Sequence, residues 1–165
     1  MTFMKPLFTL KIAADEPADY YAPFTCLIGD VNAMTDQQIP RGELLLRTMA
    51  MPADTNANGD IFGGWIMSQM DLGGSLLANE VALGRVCTVA VSDMTFLRPV
   101  QVGDVVCCYG ELAKVGRSSI TVKVEVWVKP VLVPESGPRY RVAGAQFVYV
   151  AIDENGRPRA AQPGA

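Results

Sequence analysis

From Gly42 onward, apolar and polar positions fall into runs of definite period, and the period changes along the chain. Glu43 to Ala50 is a first apolar run. A loop from Pro52 to Gly59 follows, dense in Asp and Asn, whose short polar side chains bond to nearby backbone and favour turns. After Gly63 and Gly64, the stretch Trp65 to Ala82 has helical length and is apolar on most sides, which predicts a buried helix. Beyond Gly84 the chain reads as strands: Arg85 to Val91, Asp104 to Val115, Ser118 to Lys129 and Arg139 to Ile152. The third of these alternates strictly. Ile120, Val122, Val124, Val126 and Val128 share one face, and Thr121, Lys123, Glu125, Trp127 and Lys129 the other, so one face should be core and the other wetter. Gly116-Arg117 falls between two such runs and predicts a tight hairpin turn. One strand, one buried helix and four more strands pack most economically as an α+β domain: a five-stranded antiparallel sheet curled around a single long helix.

The ends are less regular. Residues 1–39 show no sustained period and mix Pro6, Pro17, Pro23 and Gly29 with Tyr20, Tyr21 and Phe24, which predicts a poorly ordered extension. Met34 opens a polar stretch that looks like an ordinary protein start, so translation could begin at either Met1 or Met34. The regular domain is expected over residues 40–158, with 159–165 as a tail.

At 165 residues, half of them apolar, the chain suits one domain with a sizeable core. A formal net charge of -3 provides no global field to draw it to nucleic acid or anionic lipid, so an anionic ligand would need a local cluster. The apolar run Pro6 to Leu10 is cut by Lys11 and is too short for a signal-peptide core, and no stretch approaches the roughly 20 apolar residues of a membrane span. A cytoplasmic protein with neither nucleic-acid nor membrane partners is expected. Cys26, Cys87, Cys107 and Cys108 form no CxxC pair and sit among apolar neighbours, a pattern of reduced core residues. The chain has no histidine, which removes Ser-His-Asp and Cys-His nucleophilic sites, HExxH zinc sites and histidine-based dehydratases together. Acid or base work falls to a carboxylate, lysine, tyrosine or cysteine.

Asp71 is conspicuous because it interrupts an apolar helix, where an unpaired charge costs several kcal/mol. It is either a carboxylate satisfied by neighbouring donors or a functional group. Gly73 and Gly74 each cost roughly 1 kcal/mol in a helix relative to alanine, so a close approach is expected there, by a partner's backbone or by a ligand. Asn56, Asn58, Asp60, Gly63 and Gly64 precede the helix, where free amides and the positive end of the dipole favour anionic oxygen, though by themselves these residues read more simply as a capped loop of turn formers. Lys114, Arg117, Ser118 and Ser119 suit a phosphate but also an ordinary hairpin end.

Read as strings, these segments carry more. Residues 51–71, MPADTNANGDIFGGWIMSQMD, strongly resemble the signature of the short bacterial hot-dog acyl-CoA thioesterases of the YciA kind. MTFLRPVQVGDVVCCYG at 94–110 and KVGRSSITVKVEVWVKP at 114–130 resemble the same family in the same order, so the likeness spans roughly residues 40–158. The resemblance implies a hot-dog fold and hydrolysis of acyl-CoA to a free carboxylic acid and coenzyme A. It implies Asp71 as the catalytic carboxylate and Asn56 as its partner, supplied by the facing subunit of a dimer, with dimers assembling into hexamers. Backbone amides near Gly63 and Gly64 would polarise the thioester carbonyl. Asn56 would orient water or carbonyl, since an amide can both donate and accept. Arg117 and Ser118 would contact the nucleotide phosphates of coenzyme A. No metal and no cofactor are expected, coenzyme A being part of substrate and product. Asp71 could act on water as a general base or attack directly to form an anhydride, and a non-catalytic acyl-CoA sensor of the same fold is the alternative to an enzyme.

Overall fold

The computed structural model describes residues 39–131 and 138–161. Its elements are β1 (Glu43–Met49), a 3-10 turn (Pro52–Asp54), α1 (Gly63–Ala82), β2 (Val86–Phe96), β3 (Val105–Val115), β4 (Ser119–Lys129) and β5 (Tyr140–Ala151). The expected extension over 1–39 lies almost wholly outside the described residues.

The strands form one sheet in the order β1-β3-β4-β5-β2, every neighbouring pair antiparallel, and α1 packs across it, chiefly on β4. The alternation read from β4 decides which face meets the helix. Ile120, Val122, Val124, Val126 and Val128 are all buried, and they join Val106, Cys108, Phe147 and Tyr149 against Ile66, Met70, Leu77, Ala78 and Ala82 of α1. The Gly116-Arg117 turn is a hairpin closed by Gly116 N–H donating to the Ser119 carbonyl at 2.7 Å.

Several expectations need correction. The wetter face of β4 holds a small second core of Cys107, Tyr109 and Trp127, where the indole donates to Glu125 Oε2 at 3.0 Å and Arg139 donates to the Tyr109 hydroxyl at 2.7 Å. Trp127 is therefore buried despite its register. Cys107 and Cys108 are core residues as expected, but Cys87 is exposed, because it sits on β2 at the open edge of the sheet; Cys26 lies outside the described residues. Strand β2 runs five residues past Val91, where the pattern ended it. Its far part is broken by a register shift between Ser92 and Thr95, with Asp93 at φ 54°, and this bulge hides the alternation.

Helix α1 is buried on one side only, with Leu72 and Leu76 exposed on the other. It ends at Leu83, which adopts a left-handed conformation, and Arg159 donates to the Ala82 carbonyl at 2.9 Å. A cation there also complements the negative end of the helix dipole. Arg159 N–H further donates to Ala151 and Ala161 N–H to Arg117, so the boundary drawn at 158 falls within a bonded segment.

Candidate active site

Asp71 lies halfway along α1, on the flank that looks toward edge strand β2. It is half-buried rather than fully buried, because among the described residues no strand continues the sheet past β2. Its carboxylate accepts the Thr88 hydroxyl, 2.7 Å from Oδ1. Beneath it, Tyr149 is completely buried and donates its hydroxyl to the Asp71 backbone carbonyl at 3.1 Å. Burial first, and then the charge of Asp71, push this phenol far above its ordinary range, so it is a neutral donor at any working pH.

The glycine pair after Asp71 is explained from within the chain. A Cβ at Gly74 would fall on the Tyr149 hydroxyl, 3.2 Å from its ring carbon and 3.3 Å from Val124 Cγ2. At Gly73 a Cβ would make ordinary 3.4 Å contacts with Leu45 and Cys108. The close approach expected here is that of the chain's own sheet, not of a partner or ligand.

Asp71 opens onto a surface pocket of about 230 Å³, lined also by Gly64, Met67, Ser68, Thr88, Val91 and Phe147. Gly64 belongs to the first turn of α1. There Trp65 and Ile66 N–H both turn back to the Phe62 carbonyl, at 2.9 and 3.2 Å, while among the described residues the Gly63 and Gly64 N–H groups have no acceptor. Phe62 offers no capping side chain, so the Gly63 and Gly64 amides are not occupied by any described residue. The lining thus includes a residue of the first helical turn, at the positive end of α1, and a carboxylate two turns further along the same helix. A neutral, polarisable group between them would have its electron-rich atom stabilised and its electrophilic side open to attack.

Asn56 does not line this pocket. Its Oδ1 accepts from Asn58 N–H at 2.8 Å and Asp60 N–H at 3.2 Å, and its own N–H donates to the Asp60 carbonyl at 2.7 Å. The acceptor half of the amide is committed to folding the loop. Only Nδ2 is left to meet another molecule, so Asn56 can donate but cannot also accept, against the two-way role expected of it. Arg117 and Ser118 also lie apart from the pocket. Their carbonyls take Ala161 and Ala151 N–H, which places the turn at the end of the sheet where the chain's last described segment folds back. Thr88 was missed by sequence reasoning. Its signal was a hydroxyl in the otherwise apolar run Val86 to Val91, a weak one because threonine is an ordinary strand former. Among the described residues no helix is long and apolar enough to cross a membrane.

Comparison with known proteins bears on what such a pocket does. A model of the Thioesterase superfamily matches residues 58–134. An uncharacterized acyl-CoA thioester hydrolase of Haemophilus influenzae is 67% identical over 119 residues, 72% of this chain and 77% of its own length. The acyl-CoA thioester hydrolase YciA of Escherichia coli is 60% identical over 126 residues, 76% of this chain and 96% of its own. The crystal structure of a hexameric thioesterase from Yersinia pestis, 62% identical, superposes with a TM-score of 0.72 over 77% of this chain and 100% of that one.

Proposed function

Since this chain belongs to the thioesterase superfamily, among its hot-dog acyl-CoA thioester hydrolases, we propose that it hydrolyses acyl-CoA at the pocket between Asp71 and the first turn of α1. The observation that carries the reading is that one small pocket is lined by both the Asp71 carboxylate and Gly64 of the first turn of α1. The thioester carbonyl lies at the helix start, where the Gly63 and Gly64 amides stabilise negative charge developing on its oxygen. Asp71 Oδ2 takes a proton from water as the water oxygen bonds to the carbonyl carbon. The tetrahedral intermediate collapses, the carbon–sulfur bond breaks, and the departing thiolate of coenzyme A takes up the proton, leaving a carboxylic acid. No metal or cofactor enters this scheme.

The site is completed by self-association. The Yersinia pestis thioesterase is hexameric, and here the open edge of β2 and the apolar outer side of α1 both border the Asp71 pocket, which supports a dimer across that edge. Asn56 is then the facing subunit's contribution, its free Nδ2 donating to the substrate carbonyl or to the water. Arg117 and Ser118, outside the pocket, are left for the distant phosphates of coenzyme A. We place the enzyme in the cytoplasm, for which the free thiols Cys87, Cys107 and Cys108 suit a reducing compartment.

The direct test is thiol release from a panel of acyl-CoAs with wild-type protein and Asp71→Asn. Wild type should turn over at least one member, and the nearly isosteric variant should lose on the order of 100-fold or more in kcat while keeping its fold. Tight binding without turnover across the panel would make the protein a sensor instead.

A further inference from the structure

We propose that Gln101 is a positioning residue for Asn56: by tying the Asp60 side chain to the turn between β2 and β3, it sets where the Asn56 amide stands as it serves the facing subunit's site. The inference rests on the hydrolytic reading of the Asp71 pocket and on Asn56 acting across a dimer.

The aim of Asn56 is set through Asp60. Asp60 N–H donates to Asn56 Oδ1 at 3.2 Å, and Asn56 N–H donates to the Asp60 carbonyl at 2.7 Å. Because Oδ1 is held by its own loop, the amide plane moves with that loop, and Nδ2 points wherever Asp60 places it. These bonds, with Asn58 N–H to Oδ1 at 2.8 Å and Gly59 N–H to the Asn56 carbonyl at 3.1 Å, are all local. They determine the shape of the loop but not its place on the molecule. A Cβ at Gly59 would meet nothing within 4 Å, so that point of the loop stands in open space. A donor that must meet an atom in another subunit's site to within about 0.5 Å gains from an anchor outside its own loop.

Gln101 supplies that anchor. Its Nε2 donates to Asp60 Oδ1 at 3.0 Å, across 41 positions of sequence. Gln101 is itself held in a braced turn. Asp104 N–H closes the turn on the Gln101 carbonyl at 3.1 Å, and Gly103 supplies the left-handed φ of 88°. The buried Asp104 carboxylate accepts Gln101 N–H at 3.0 Å, and since a buried charge stripped of its donor costs several kcal/mol, it resists any shift of the Gln101 main chain. The same turn grips the Asn56 loop by its ends. Gly103 N–H donates to the Ala50 carbonyl at 2.8 Å and Ala50 N–H to the Asp104 carbonyl at 3.0 Å where the loop begins, and Ile61 N–H donates to the Val100 carbonyl at 3.1 Å where it closes. Main-chain bonds thus fix the two ends, and the Gln101 side chain reaches the residue that aims Asn56. This gives a role to the string RPVQVGD at 98–104, which the chemistry at Asp71 leaves unused.

The test removes the bond and then reverses it. Gln101→Ala deletes the donor, Gln101→Glu sets a second carboxylate beside Asp60, and Asp60→Asn/Gln101→Glu rebuilds the bond with donor and acceptor exchanged. Each is assayed for kcat and KM with the best acyl-CoA of the panel, alongside its oligomeric size. Gln101→Ala should lower kcat by about 3- to 10-fold, as expected for an exposed bond to a charged group, and Gln101→Glu by about 10-fold or more, both with KM within about twofold. The exchanged pair should return to within about threefold of wild type. In an Asn56→Ala background Gln101→Glu should change the residual rate by less than about twofold, because the amide it places is gone. Overturning results are an equal loss in both backgrounds, a rise in KM at constant kcat, an exchanged pair no better than Gln101→Glu, or a Gln101→Ala protein that no longer assembles, which would make the residue structural. Full activity of both Gln101 variants beside an impaired Asn56→Ala would sink this proposal alone. An active enzyme indifferent to Asn56→Ala would remove the role of Asn56, and a wild-type protein inert toward the whole panel would remove the hydrolytic reading, each taking this inference with it.

Discussion

Replacing Gly74 by alanine tests the packing that holds Asp71 in place. In an unconstrained helix the change would stabilise by roughly 1 kcal/mol, since glycine is a poor helix former. Here the added methyl would fall on the Tyr149 hydroxyl and come within 3.3 Å of Val124 Cγ2. Tyr149 is completely buried in a core built on β4 and β5, so it cannot swing away freely. Overpacking of this kind costs about 1–3 kcal/mol, and a displaced hydroxyl left without its acceptor adds about 1–3 kcal/mol. Subtracting the helical gain leaves a net loss of about 1–5 kcal/mol. Urea denaturation at fixed protomer concentration measures it, with Gly74→Ala, Tyr149→Phe and the double variant completing a cycle. Tyr149→Phe removes the colliding atom, so alanine at 74 should be far less harmful in that background, leaving only the ring contact at 3.2 Å. If Gly74→Ala is neutral or stabilising, or costs the same with phenylalanine at 149, the argument that Gly74 exists to admit the tyrosine hydroxyl is wrong.

Other perturbations follow from the same structure. Arg117→Ala should raise KM for acyl-CoA more than it lowers kcat and leave short pantetheine thioesters indifferent; an equal loss with both substrates would remove Arg117 from phosphate binding. Asn56→Ala and Asp71→Ala, each inactive alone, should restore roughly a quarter of wild-type activity when equal amounts re-pair at random, because about half the dimers are mixed and each regains one of two sites. No recovery in mixed dimers verified by mass would refute a site shared between subunits. Burial, and then neighbouring Cys107, push the Cys108 thiol from 9.0 up to about 12. The folded state therefore favours the protonated form, and this contribution to stability is complete below pH 9 and lost as pH rises toward 12. Between pH 10 and 11 the wild type should lose about 1.4 kcal/mol more than Cys108→Ala in urea titrations, and parallel losses would contradict the buried-thiol account.

Much of the fold was legible because the period-2 alternation of Ile120 to Val128 sorts inward from outward side chains by itself, and one sorted strand orients the sheet against the helix. Where alternation failed, the cause was local geometry. Ser92-Asp93-Met94 reads as the end of a strand, yet β2 continues through it by a bulge, with Asp93 in a left-handed conformation held by a 2.6 Å bond from Gln146. Trp127 looked solvent-facing from its position and is covered by neighbours on the outer face. The site divides in the same way. Asp71 announces itself as a charge in an apolar helix. Thr88 does not, since its meaning lies in a bond to a residue 17 positions away and in its pairing with Tyr149, neither of which is written locally. The commitment of Asn56 Oδ1 to its own loop was equally invisible, because an Asx turn and a catalytic amide call for the same residue.

The open edge of β2 also shapes how the chain behaves before it finds its place. Val86-Cys87-Thr88-Val89-Ala90-Val91 is six residues of high strand propensity with no charge and no proline, and Val89 and Val91 are 55% and 39% exposed. A segment of that kind with unpaired backbone groups is a template for indiscriminate pairing with other chains. Proteins restrain such edges with charges and bulges at their margins, and Asp93, on the bulge just past Val91, stands where a gatekeeper would. The strand that carries Thr88 to Asp71 is thus also the chain's main hazard during synthesis. Changes that weaken its coverage should appear first as insoluble protein, ahead of any loss in specific activity of the soluble fraction.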